Sequence, residues 1–360
     1  MTITLPNTGG NVRSTTDLPL HYGKAPHWLT TRMIDLASQI FAILSEEHPP
    51  DWILQKIADP LWFQSLCCLL GYDWHSSGTT TVLCGVLKSI NIPDIKIVGG
   101  KGKTSRKAPQ EIVQKGEELN LSSKKIDSLV YASKMSAKVD NCLVQDNHQL
   151  YHHSLFFSAS AWTVVQQGMN PQTRYARRYQ WFNPSQFIEE PHQGITGIKT
   201  EKVMDLTAKQ SKECRKTSVD IIKESPMRIR RYVHENQQTL DPYLGIASFV
   251  MPETINWKAL RKAYEIQPRS YQELVEIKGI GPKTLRGLAL VSEFTFGEPP
   301  SYKDPVKYSF AFGGKDGVPF PVERNAMDEV ARILREAVEE SKLGKKEKIQ
   351  AIKRIAKISH

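Results

Sequence analysis

Between residues 140 and 181 the chain concentrates side chains able to ligate a metal ion or carry a proton: Asp140, Asp146, His148, His152 and His153, then Gln166 and Gln167. Phosphodiester hydrolysis commonly uses acidic or histidine ligands around one or two divalent ions, with basic side chains steadying the phosphate. In that chemistry Asp140, Asp146 and His152 would hold Mg²⁺ or Mn²⁺, and His153 and Gln167 would complete the catalytic set. His152 and His153 are neighbours, so on a strand they point to opposite faces and at most one meets a site shared with the next strand. Further on, "RYARRYQW" places Arg174, Arg177, Arg178 and Trp181 at i, i+3, i+4 and i+7. A helix there would gather them on one face, with cations for phosphates and an indole to stack a base.

A second group of residues suits anion binding rather than bond breaking. In "PRSYQELVEIKGIGPKTLRGLALVSEF", Ser270 followed by Glu273 forms a capping box, and Leu274, Val275 and Ile277 give the first helix an apolar side. Gly279 and Gly281 stand where the chain must reverse, and Pro282 fits the first turn of a second helix. Free N–H groups at that helix start attract an anion, with Lys283 and Thr284 beside them. The core "GIGPKT" resembles the helix-hairpin-helix motif, which grips a DNA backbone phosphate without reading bases. In glycosylases bearing that motif a lysine attacks the sugar with help from an aspartate, and Lys283 with Asp304 resembles the pair. The spacing between them here is longer, and "KDPV" lacks the valine-aspartate-threonine surroundings. The same glycines also suit a plain helix–helix turn.

These groups must be carried by elements that the rest of the pattern supplies. Residues 26–90 read as helical, with Trp28, Leu29, Met33, Leu36, Ile40 and Ile43 at helical spacing, and Asp59 and Pro60 opening a further helix. "GGKGKTSRKAP" reads as a basic loop whose Lys101 and Lys103 touch phosphates; it is no Walker loop, because Ile97 stands where the first glycine belongs. Residues 110–140 are helical, and "QLYHHSLFFSASAWTVVQQGMN" reads as a β-hairpin around "SASA". From about 205 onward helices dominate, interrupted by an irregular segment at 296–321, and the tail from Lys342 to Lys357 is a basic amphipathic helix. In "YDWHSSGTTT", a triad of Asp73, His75 and Ser76 or Ser77 is too closely spaced to assemble, so capping of the next helix is the better role.

With 360 residues the chain accommodates two or three domains, and its net charge of +10 favours a polyanionic partner. Five cysteines without a CxxC pair point away from a disulfide scaffold or zinc ribbon and toward the cytoplasm. No run approaches the roughly 20 apolar residues of a membrane helix, and no secretory leader is evident.

Several blocks together, "DLPLHYGKAPHWLTTRM", "WFQSLCCLLGYDWHSSGTTTV", "KVDNCLVQDNHQLYHHSLFF", "WTVVQQGMN", "ARRYQW" and "IKGIGPKTLRGLALVSE", resemble the archaeal family catalogued as domain of unknown function 763. The resemblance implies a shared fold and a nucleic-acid role but supplies no catalytic residues. The expected architecture is α+β and predominantly helical. It divides into an N-terminal helical region (1–125), a central α+β region with the active site (126–204) and a C-terminal helical region (205–360). The expected function is a divalent-metal nuclease acting on DNA, single- or double-stranded, in repair or replication. The alternatives are a glycosylase/lyase using Lys283 and Asp304, and a non-catalytic DNA-binding adaptor. Self-association as a homodimer stays open.

Overall fold

The computed structural model describes residues 25–72, 76–239, 251–252, 254–307, 324–342 and 344–356. Asp73, His75, residues 308–321 of the irregular segment and Lys357 lie outside them. Helix α1 (His27–Glu47) buries Met33, Leu36, Ala37, Ile40, Phe41 and Leu44, a stripe at the spacing of a core-facing helix. Trp28, expected on that stripe, is 63% exposed. α2 (Pro50–Ala58) follows, and Asp59 then accepts from the amides of Leu61 and Trp62 to start α3 (Pro60–Leu69). α4 (Gly78–Ser89) has Ser77 at its N-cap position, but the hydroxyl makes no cap bond, contrary to the expected role. Ser76 Oγ is buried without a hydrogen-bond partner among the described residues.

The sheet is antiparallel, five-stranded and ordered β1-β3-β4-β5-β6. Its strands are β1 (Lys96–Lys101), β3 (Gln149–Phe157), β4 (Trp162–Met169), β5 (Ala176–Phe182) and β6 (His192–Thr196), while β2 (Val144–Gln145) pairs separately with β7 (Met204–Asp205). The expected hairpin is β3–β4, with the turn at Ser158–Ala161. The basic loop is different from its expectation: residues 99–101 belong to β1, where Gly99 faces Ser154, and 102–107 form a 3₁₀ segment. Gly99 is required there, because φ is +82° and a Cβ would lie 2.2 Å from the His153 carbonyl oxygen.

Helices cover both faces of this sheet. Ile97, Phe156 and Val165 join a cluster with α1–α4, which also takes in Ile333, Leu334 and Ala337 of α12 (Arg324–Glu340) and Ala351 of α13 (Lys345–Ala356). Val98, Leu155, Val164 and Trp181 pack on the other side against α5 (Ala108–Glu118), α6 (Ser123–Cys142) and α7 (Lys212–Lys223). α9 (Trp257–Ile266), α10 (Tyr271–Glu276) and α11 (Pro282–Phe296) extend that second cluster, while α8 (Pro226–Thr239) packs beside α11. Chain order and cores therefore do not coincide, since the last two helices return to the first core.

β5 replaces the helix that would have gathered the arginines. Successive strand residues alternate, so Arg177, Tyr179 and Trp181 face α6 while Arg178 and Gln180 face α2 and α3. Both arginines are 0% exposed. Arg177 Nη1 donates to Asp146 Oδ2 at 3.0 Å, and Nη2 pairs with Asp304 Oδ2 and donates to the Ile198 carbonyl at 2.9 Å. Burial opposes its charge, but the two carboxylates raise its pKa. This node ties three distant segments together. Arg177→Met strands two buried carboxylates and should cost about 3–5 kcal/mol in denaturant unfolding. A loss under about 1 kcal/mol would contradict the node's role.

Candidate functional site

The chemistry-bearing residues of the central region lie inside the protein. Asp140, on the last turn of α6, accepts from Gln166 Nε2, from Trp181 Nε1 at 3.0 Å and from His192 Nε2. Asp146 accepts from Arg177, from Tyr179 Oη at 2.6 Å and from the His148 amide at 2.9 Å. Burial raises the Asp140 pKa; at Asp146 burial acts the same way, but His148 and Arg177 outweigh it and the pKa falls.

These residues do not fit the expected divalent ion. The oxygens of both carboxylates already accept protein hydrogen bonds. The paired register also sends His152 with Gln167 to one face and His153 with Gln166 to the other. Gln167 bonds Thr80, Tyr151 and the Ser77 carbonyl, all remote from Asp140. Among the described residues no group of three or more His, Cys, Asp or Glu could hold a metal.

The arginine face is likewise corrected. Arg178 lies 4.7 Å over the Phe63 ring and donates to Gln64 and Gln180, with burial pulling its pKa down to about 10. Trp181 is buried against Asp140 and offers no face to a base. Arg174 is exposed in the β4–β5 turn, with a left-handed φ of 61°.

What the fold does assemble is a directed hydrogen-bond chain. Asp140 accepts, so Gln166 presents its amide nitrogen there and its oxygen to His153 Nδ1 at 2.8 Å. Nδ1 therefore carries the proton, and His153 Nε2 accepts from Ser133 Oγ at 2.8 Å. Ser133 and His153 border a cleft of about 230 Å³ between α6, the start of β3 and the 3₁₀ segment. His192 and Ser133 escaped the sequence reading. The signal for Ser133 was present, since Ser133, Ser136 and Asp140 continue the buried stripe of Ile126 and Leu129 on α6.

The turn between α10 and α11 has the expected form. Ser270 Oγ accepts the Glu273 amide at 3.2 Å, but Glu273 reaches back to the Arg269 amide rather than to Ser270. Gly279 has φ +97°, and a Cβ would meet Ala259 Cβ at 3.0 Å. Gly281 differs: its φ of −127° is ordinary, and among the described residues no atom beyond its chain neighbours lies within 4 Å of its missing Cβ. Lys283 is exposed and reaches Thr254 Oγ1 at 3.0 Å, whereas Thr284 is 2% exposed and lies beneath the turn. Asp304 is occupied by Arg177, Thr200 and the Val306 amide, so it does not pair with Lys283. Lys101 and Lys103 are exposed beside the cleft's 3₁₀ wall.

Fold and site define a predominantly helical α+β protein built around a polar sheet interior. The family model described as a protein of unknown function, DUF763, matches residues 14–322, and the chain belongs to that family. No curated protein and no solved structure matches the chain. No helix among the described residues is long and apolar enough to cross a membrane.

The two histidines set a pH response. Burial lowers the pKa of both below 6.5, that of His152 to about 3 with help from His153 and Lys101. The unfolded chain then binds more protons than the folded one as pH falls through 6.5, so stability declines toward the folded pKa values. Asp140 and Asp205, whose pKa values burial raises, act oppositely as pH falls through their folded pKa values. The urea midpoint should fall between about pH 7 and about pH 4.5, and His152→Leu should flatten the decline. An unchanged midpoint across that range would contradict the neutral, buried imidazoles.

Proposed function

We propose that this protein binds DNA by its phosphodiester backbone, as part of DNA processing, through the turn of residues 277–281 and the first turn of α11. The observation that carries the reading is Gly281. Among the described residues nothing asks for glycine there, and the space beside it is open. Absence of a side chain is useful at that place to a ligand whose backbone must come close. Gly281 is also the N-cap of α11 and supplies no side-chain cap, leaving the first-turn N–H groups of the helix to an external acceptor. Lys283 adds a cation whose partner is a neutral hydroxyl rather than a carboxylate. The turn is held in place by Asn256, which caps α9 through the Ala259 amide and donates to the Gly279 carbonyl at 3.1 Å.

Such a site contacts phosphates and not base edges, so it predicts affinity with little sequence preference. Metal-dependent cleavage through Asp140, Asp146 and His152, and lyase chemistry through Lys283 and Asp304, form no part of this proposal, because the carboxylates of both sets are spent on internal contacts.

Fluorescence anisotropy with labelled single- and double-stranded DNA tests the reading. Lys283→Gln should reduce the slope of log affinity against log salt by about 1. Gly281→Val should weaken binding at least about tenfold, or about 1.4 kcal/mol, with Tm unchanged. Gly279→Ala should instead lower stability by about 1 kcal/mol, from the positive φ. Wild-type affinity in both Gly281→Val and Lys283→Gln would remove the turn from DNA binding. Incubation of the same DNA with Mn²⁺ or with chelator reads strand scission separately.

A further inference from the structure

The cleft at Ser133 carries more than the fold needs. Its wall includes Ser133, His153, His152, Arg106 and Lys134, from α6, β3 and the 3₁₀ segment. The serine hydroxyl is held 2.8 Å from the unprotonated Nε2 of His153, whose other nitrogen is fixed by Gln166 and, behind it, Asp140. This arrangement of nucleophile, base and orienting group activates a hydroxyl toward an electrophile. A serine–histidine contact closed on every side would give a substrate no approach, whereas here both residues, though only 3% and 6% exposed, line the cleft. Arg106 and Lys134 are exposed cations on the same wall, with Lys101 nearby on β1, so the cleft suits an anionic substrate. Leu150 and Ala137 give it an apolar side for the organic part of an ester.

We propose that this cleft is a phosphate-ester hydrolase site in which Ser133 Oγ is the covalent nucleophile, His153 its general base, and Arg106 and Lys134 hold the anionic oxygens. The Oγ–H proton passes to His153 Nε2 as Oγ bonds to phosphorus and the bond from phosphorus to the leaving alkoxide breaks. The imidazolium gives that proton to the alkoxide. Water then attacks phosphorus, His153 takes its proton and returns it to Oγ as the P–Oγ bond breaks. A monoester and water become alcohol and phosphate, a diester and water become alcohol and a phosphomonoester, and no other reactant is needed. Gln166 and Asp140 act as positioning residues, since they reach the substrate only through His153. Burial lowers the His153 pKa, which keeps the imidazole neutral and able to accept a proton.

The site does not depend on DNA binding by the turn, because small esters test it directly. The full-length protein is treated with an alkyl fluorophosphonate, whose phosphorus takes Oγ and loses fluoride, and the adduct is mapped by tandem mass spectrometry. Label is expected on Ser133, and its rate should fall about 100-fold or more in His153→Gln, the range for loss of a general base. Arg106→Ser with Lys134→Ser, both surface changes, should raise KM for bis(p-nitrophenyl) phosphate or p-nitrophenyl phosphate, assayed with chelator. Turnover of only one of these two esters assigns the site to diesters or to monoesters. No Ser133 adduct and no turnover in folded wild-type protein would overturn the proposal. Labelling unchanged in a folded His153→Gln variant, judged by circular dichroism, would overturn it equally. A purely structural Ser133–His153 contact gives the third pattern, a lowered Tm in His153→Gln with no adduct in any form.

Discussion

An antiparallel sheet with helices on both faces takes most polar side chains of its central strands out of water. β3, β4 and β5 nevertheless carry His152, His153, Gln166, Gln167, Arg177, Arg178 and Gln180, every one of them buried. An unpaired polar group in such a place costs on the order of 1–3 kcal/mol, and an unpaired charge more. The rest of the fold answers that demand. Asp140 is placed on α6 to receive Gln166, Trp181 and His192; Asp146 and Asp304 converge on Arg177; Gln64 on α3 receives Arg178. The two helical layers are thus attached to the sheet by specific polar contacts as well as by apolar packing. Such contacts fix one register, because a one-residue slip would exchange the two faces and unpair every partner.

α6 transmits this order to the surface turn. Along one helix it bears Ser133 and Asp140 of the hydrogen-bond chain, and it also bears Tyr131, which bonds Glu276, and Lys138, whose Nζ donates to the Ile277 carbonyl at 3.0 Å. Immediately after α6, Gln145 donates to the Pro282 carbonyl at 3.0 Å and accepts from Arg286 Nε at 2.6 Å. Both ends of the turn are therefore held by groups whose own positions follow from the sheet. A phosphate-binding turn needs that support, since an anion site loses its value when its amides diverge. The same linkage places the cleft and the turn on one rigid element.

Local patterns in the chain disclosed the elements that local physics decides. Asp59 with Pro60, Ser270 with Glu273, the "SASA" hairpin and the reversal at Gly279 were legible because each is settled within a few residues. The arginine segment was not. "RYARRYQW" fits a helical face by spacing, yet the aromatic residues between its cations favour a strand, and the sheet edge left by β4 gave it one. The candidate site failed in the same way. Asp140, Asp146 and the histidines have the types of a metal centre, but type does not tell whether a carboxylate faces an ion or an arginine. That choice depends on Arg177, Asp304 and His192, which are distant in sequence and carry no joint signature.

The charge balance takes on a different meaning once burial is counted. The net charge of +10 favoured a polyanionic partner. Arg177, Arg178 and Arg215 are all buried, the first with two carboxylates and the last against Glu189. A planar, weakly hydrated guanidinium tolerates the interior where an ammonium does not. The cations available to a partner are others, among them Lys101, Lys103 and Arg106 in and beside the 3₁₀ segment, Lys134 on α6, and Lys278 and Lys283 at the turn. Arg177 brings one positive charge to two negative ones, so its buried node is acidic on balance. Exposed positive charge is present both at the cleft and at the turn, where among the described residues polar groups also stand beside open space.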